Sequence, residues 1–204
     1  MKIREIAETK RKAKEWFASY TADYDMEDPK IALKAVHTYH VAELCQTIAE
    51  SLALNEVECM AAWLSGLLHD VGRFEQIRRF NTFSDADSID HALLSTEILF
   101  GTKEDASCGR IRQVILDPSW DIYLYKAIKY HSAYRLPPDL SEMEKTYCQI
   151  LRDADKIDIF RVNLETPMED IYNTTTETLK QAEVTSEVLQ AFKERHAVLR
   201  ALKK

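Results

Sequence analysis

Leu64-Ser65-Gly66-Leu67-Leu68-His69-Asp70-Val71-Gly72-Arg73 is the stretch from which the fold is read. An apolar helical run ends in a histidine and an aspartate side by side, then a glycine two residues on. Burying an ionisable pair at such a place is costly unless a partner compensates it, and a metal ion would. Histidine and aspartate are both metal ligands, one borderline and one hard. Gly66 lies three residues before His69 and four before Asp70, so it leaves room there for a second helix or an ion. The plainer alternative is that His69 and Asp70 cap a helix C-terminus, where the helix dipole makes aspartate a poor choice.

Upstream, Asn55 and Glu58 form a capping box for the helix that carries Met60, Leu64, Leu67, Leu68 and Val71. Before it, Asp28-Pro29 signals a helix start, and that helix is expected to run to about Leu54. Val36, His37, His40, Val41, Leu44, Ile48 and Leu52 are expected on one face of it. Residues 2–20 read as an amphipathic helix with Ile3, Ile6, Ala7, Ala13, Trp16 and Phe17, packed on the outside by one stripe. The acidic run Asp23 to Asp28 between them reads as a loop.

Downstream, residues from Arg73 to Ser88 read as a polar loop. Asp87 or Ser88 opens a short helix with His91, stopped by Gly101. A helix follows from about Cys108 to Leu116. Asp117-Pro118 starts another, with Ile122, Leu124, Tyr125, Ile128 and His131, which ends at Arg135-Leu136-Pro137-Pro138. Ser141 and Glu144 box the helix of Tyr147, Ile150, Leu151, Ala154 and Ile159. Residues 167–182 are poorly patterned, and a last helix runs from about Ser186 to the basic end Arg200 to Lys204. No repeat and no useful period-two alternation occurs, so the expected fold is all-α: one helical domain over 1–204, with flanking N- and C-terminal segments packed on its core.

The 204 residues, 46% hydrophobic and 30% charged, fit an ordinary globular domain, and 4 Gly with 5 Pro disfavour a turn-rich β fold. A net charge of −7 argues against general nucleic-acid binding. Cys45, Cys59, Cys108 and Cys148 form no C-x-x-C pair, which points to a reducing, cytoplasmic setting. Met1-Lys2-Ile3-Arg4-Glu5 lacks the apolar stretch of a signal peptide, and no run is long enough to span a membrane.

His37, His69, His91 and His131 each sit on or beside an apolar helical face or end, whereas His196, among Lys193, Glu194 and Arg195, reads as surface. A core seldom collects several titratable rings without a use. Asp155 shares the inward side of its helix with Leu151 and Ile159. Its alternative is an ion pair with Arg152 or Lys156, and Asp153 and Asp158 are rivals for its role. No phosphate loop, dinucleotide fingerprint or serine elbow is present.

The order His37-x-x-x-Val41, His69-Asp70-Val71-Gly72 and Ala154-Asp155-Lys156-Ile157-Asp158 resembles the HD superfamily of metal-dependent phosphohydrolases, over residues from about 31 to 161. The resemblance implies an all-α bundle. It implies His37, His69, Asp70 and Asp155 as metal ligands, with His40 the alternative to His37. It implies His91 and His131 as the two extra histidines of branches that hold two metals. The Gly-Tyr-Pro signature of the cyclic-di-GMP branch is absent; Tyr134-Arg135-Leu136-Pro137 stands near its place. Arg73 stands where many relatives carry lysine, and its planar fork suits phosphate; a surface pair with Glu75 is the alternative.

The expected cofactor is one or two divalent ions, Fe, Mn, Co, Ni or Zn, with Mg also compatible. Asp70 would bridge two ions, a metal-activated water would attack phosphorus, and Arg73 with Lys156 would hold the phosphate. Asp70, His69 and Arg73 are the catalytic candidates, and the expected partner is a small phosphorylated substrate such as a nucleotide. Two other functions fit the same fold: a non-catalytic nucleotide sensor and a di-iron oxygenase.

Overall fold

The computed structural model describes residues 3–102, 104–172, 174–196 and 198. The Ile3 side chain and the basic end, Arg200 to Lys204, lie outside the described residues. The chain divides into two compact units, 1–167 and 168–204. The first holds α1 (Ile3–Thr21), α2 (Pro29–Ser51), α3 (Glu56–Leu68), α4 (Val71–Phe80), α5 (His91–Phe100), α6 (Ile111–Val114), α7 (Asp121–Tyr130) and α8 (Glu142–Glu165). The second holds α9 (Met168–Tyr172), α10 (Thr176–Gln181) and α11 (Ser186–Lys193), none with a buried residue. No strand occurs among the described residues, so the fold is all-α. No helix among them is long and apolar enough to cross a membrane.

The helix starts are written in the sequence. Asp28 accepts from the Lys30 backbone N–H ahead of Pro29, and Asn55–Glu58 and Ser141–Glu144 close complete capping boxes. The centre of the first unit is α3, buried from Cys59 through Leu68. It packs on α1, α2, α7 and α8, while α8 also crosses α2 and α7, and α5 bridges α4 and α7. A helix apolar on every side belongs inside a bundle. α1 covers it through one stripe, Ala13, Phe17 and Tyr20.

Gly66 is where α2 and α3 meet. A Cβ at this position would stand 2.6 Å from the Ala42 Cα and 2.9 Å from the Val41 carbonyl oxygen. The space that the sequence leaves at Gly66 is therefore filled by a helix. The small residues Ala42, Cys45 and Ala49 on the buried side of α2 permit that approach.

Several expectations are corrected. The stretch after the His-Asp pair is not a loop from Arg73: α4 occupies 71–80, because Val71, Phe74 and Ile77 make a buried stripe. Asn81, at φ 51°, ends it in the left-handed region that asparagine tolerates. α2 stops at Ser51, and its inward face is Ile31, Lys34, His37, Thr38, Val41, Ala42, Cys45 and Ala49; Val36, His40 and Leu52 are exposed. α5 starts one residue after its cap, Asp90, later than Asp87 or Ser88. The helix expected over 108–116 shrinks to α6, and Pro118–Trp120 forms a 3-10 turn ahead of α7. Ile122 and Ile159 face outward, and Asp158 takes the inward position on α8.

Candidate metal centre

Asp70 sits between α3 and α4, following the His69 C-cap of the first and taking the N-cap position of the second. The helix dipole of α4 thus favours its negative charge, which answers the objection raised by a C-terminal aspartate. Tyr20 fixes this junction from α1 by donating its hydroxyl to the Val71 carbonyl at 2.9 Å. Gly72 allows α5 to approach, since a Cβ there would meet the His91 carbonyl oxygen at 2.5 Å.

Four imidazoles converge on Asp70, all buried. His69 Nε2 lies 3.2 Å and His37 Nε2 4.0 Å from Oδ2, while His91 and His131 Nε2 are each 3.6 Å from Oδ1. Asp155 closes the first side, its Oδ1 3.1 Å from His37 Nε2 and 3.7 Å from His69 Nε2. His37–His69–Asp70 and Asp70–His91–His131 are thus two triads able to hold a metal, and they share one carboxylate.

The second nitrogen of each ring is already committed. His69 Nδ1 bonds the Gly66 carbonyl and His131 Nδ1 the Ile128 carbonyl, both at 2.7 Å. His91 Nδ1 lies 2.7 Å from Asp85 and His37 Nδ1 2.7 Å from Asp158. Carbonyls and carboxylates only accept, so each Nδ1 carries a proton, and in the neutral ring Nε2 then presents a lone pair. Burial pushes the His91 imidazole down to about 4, so that ring is neutral near pH 7. Burial alone would raise the Asp70 carboxyl, but the charged form of His69 and the Lys34 ammonium hold it well below the usual carboxylate range.

The consequence is a cluster that repels itself. The Nε2 atoms of His91 and His131 face each other at 3.0 Å, and His37 Nε2 faces a carboxylate oxygen. His69 Nε2 and Asp70 Oδ1 are buried with no hydrogen-bond partner. Unmet buried polar atoms of this kind are costly. Divalent cations would satisfy these atoms together, and N and O donors without sulfur suit the ions expected from the sequence.

The expected ligands His37, His69, Asp70, His91, His131 and Asp155 are therefore brought together from α2, the α3–α4 junction, the start of α5, the end of α7, and α8. His40 is excluded from the cluster by its exposure. Asp158 stands behind His37 rather than beside Asp70, and Arg161 grips it through two bonds of 2.7 and 2.8 Å. Asp155 is not an ion-pair partner of Arg152, whose guanidinium donates to the Tyr130 and Ala133 carbonyls.

Arg73 lies on α4, not in a loop. Its Nη1 donates to the Phe83 carbonyl at 2.7 Å and to Asp85 at 2.9 Å, and its Nε is 3.8 Å from Asp70. Glu75 pairs instead with Arg78 and Arg79. Lys156 is exposed and donates to the Arg152 carbonyl. Two contributors escaped the sequence: Lys34, with Nζ 2.7 Å from Asp70 Oδ2, and Asp85, which braces both His91 and Arg73. The signal for Lys34 was its place three residues before His37, on the same helical face.

The sequence profile of the HD domain family matches residues 35–160, more than half of the chain, and the protein belongs to that family. HD domains bind divalent metals, and most are metal-dependent hydrolases. Comparison with curated proteins and with solved structures gave no match.

Proposed function

We propose that this chain is a metal-dependent phosphohydrolase that cleaves a phosphoester or phosphoanhydride of a nucleotide or other small phosphate ester. The observation that carries the reading is the convergence of four Nε2 lone pairs and two aspartates on one buried spot, with every Nδ1 committed elsewhere. His37, His69, Asp70 and Asp155 would hold one ion, and Asp70, His91 and His131 a second. Such ions lower the pKa of bound water towards neutrality and neutralise phosphate oxygens.

The chain's own groups supply orientation and charge. The backbone carbonyls and Asp85 and Asp158 fix the neutral rings in the Nδ1–H tautomer, so no ring must rotate to bind a cation. Burial keeps the site's dielectric low and strengthens each electrostatic contact to a developing negative charge. The Arg73 Nε, buried and without a hydrogen-bond partner, is placed to donate to a phosphate oxygen on the Oδ1 side of Asp70. Arg73 is the stronger of the two phosphate contacts, because it is largely buried beside Asp70 whereas Lys156 is exposed.

The test is a panel of nucleotides and small phosphate esters incubated with the Mn²⁺-loaded and, in parallel, the Fe²⁺-loaded protein, with phosphate release and oxygen uptake followed together. Chelator-sensitive release of phosphate without oxygen uptake is expected. Oxygen uptake without hydrolysis would make the protein an oxygenase, and tight nucleotide binding without turnover would make it a sensor.

A further inference from the structure

We propose that Lys34 is a phosphate-binding residue of this centre, an ammonium set at the edge of the histidine cluster to meet an anionic oxygen of the substrate. The proposal rests on the phosphohydrolase reading. Lys34 lies on α2 one turn before His37, and its side chain is only 11% exposed. A lysine is rarely buried without a reason, because desolvating its charge is costly.

Its Nζ donates to Asp70 Oδ2 at 2.7 Å, and that is its one hydrogen bond among the described residues. An ammonium has three donors. Two have no protein partner among the described residues, beside a site whose imidazole Nε2 atoms are set to bind cations. An incoming oxyanion answers them.

Arg73 mirrors this arrangement. Lys34 attends Oδ2 of Asp70 and Arg73 faces Oδ1, and both cations lie against the Phe83 ring, 5.6 and 5.9 Å from its centroid. The pair therefore brackets the shared carboxylate, with one aromatic wall between them. If the ammonium served only to neutralise Asp70, it would be redundant once cations were bound, and it would weaken their binding by like-charge repulsion. A dianionic phosphate gives it a role in the loaded state, because bound cations turn the local charge positive.

The experiment uses the full chain loaded with Mn²⁺ and inorganic phosphate as the probe, with both affinities measured by titration calorimetry. Lys34→Met should bind Mn²⁺ at least as tightly as the parent and phosphate about tenfold more weakly, the scale of one charged hydrogen bond. Lys34→Arg, which keeps the charge, should recover most of the loss. Lys34→Gln keeps a bond to Asp70 without the charge and should repeat the Lys34→Met result if that variant does not fold. Weaker Mn²⁺ binding in the folded Met and Gln variants would overturn the proposal and leave Lys34 as a prop for Asp70. Unchanged phosphate affinity in them would also overturn it, while leaving the hydrolase reading intact. A loaded parent protein that binds no phosphate would overturn this role, while the hydrolase reading stands or falls on phosphate release from the substrate panel.

Discussion

Gly66→Ala tests whether the contact between α2 and α3 sets both stability and the metal centre. By helix propensity alone the change is favourable by about 1 kcal/mol, since alanine is the better helix former. The structure reverses the sign. The new methyl would lie 2.6 Å from the Ala42 Cα and 2.9 Å from the Ala42 nitrogen, and these are backbone atoms that no rotamer change can move. Relief requires α2 and α3 to part, and such overpacking costs roughly 1–3 kcal/mol, at the upper end where backbone opposes backbone. After subtracting the propensity gain, the net loss is about 1–2 kcal/mol. For a unit of this size that lowers the melting temperature by roughly 2–8 °C.

The same separation moves His37, on α2, away from His69 and Asp70 at the end of α3. Mn²⁺ affinity should therefore fall together with stability. Calorimetric melting of the apo protein and metal titration below the melting range give the two numbers. A Gly66→Ala protein that melts at or above the parent temperature with unchanged metal affinity would refute the close-contact argument.

Arg73→Ala should keep its metals and lose about 1.5–3 kcal/mol of transition-state stabilisation, roughly tenfold to a hundredfold in kcat/KM on any phosphate substrate the panel yields; unchanged kinetics would leave Arg73 as a brace for Asp85. Asp85→Asn removes the carboxylate behind His91 and should weaken one of two ions by about tenfold to a hundredfold in a Co²⁺ titration, leaving the other in place. Tyr20→Phe strips the Val71 carbonyl of its donor and should cost about 1 kcal/mol, seen as a melting point lower by roughly 2–4 °C; no shift would mean that α1 does not secure the His-Asp junction.

The helices were legible wherever their starts carry chemistry. Asp28-Pro29, Asn55–Glu58 and Ser141–Glu144 cap as their residues dictate, because a cap is a local event. The convergence of His37, His69, Asp70, His91, His131 and Asp155 was legible because motif order survives folding. α4 was hidden because its apolar stripe is only three residues, spaced among Arg73, Arg78 and Arg79, so the segment reads as polar. The inward face of α2 was misjudged because Val36 and Leu52 are apolar yet exposed, while the buried face carries Lys34, His37 and Thr38. Lys34 and Asp85 act through neighbours distant in sequence or held by an irregular segment, and pattern alone does not register such contacts. Asp155 was assigned inward with Ile159 as a guide, although Ala154 and Asp158 are the residues buried beside it.

The most direct test of the central claim is the number of ions that each chain binds at saturation, measured by elemental analysis after equilibrium dialysis. Two ions are expected for the parent, one for the His91→Ala/His131→Ala double variant, and none for Asp70→Ala, because both triads share that carboxylate. An Asp70→Ala protein that retained its full complement, or a parent chain that bound none, would contradict the metal centre.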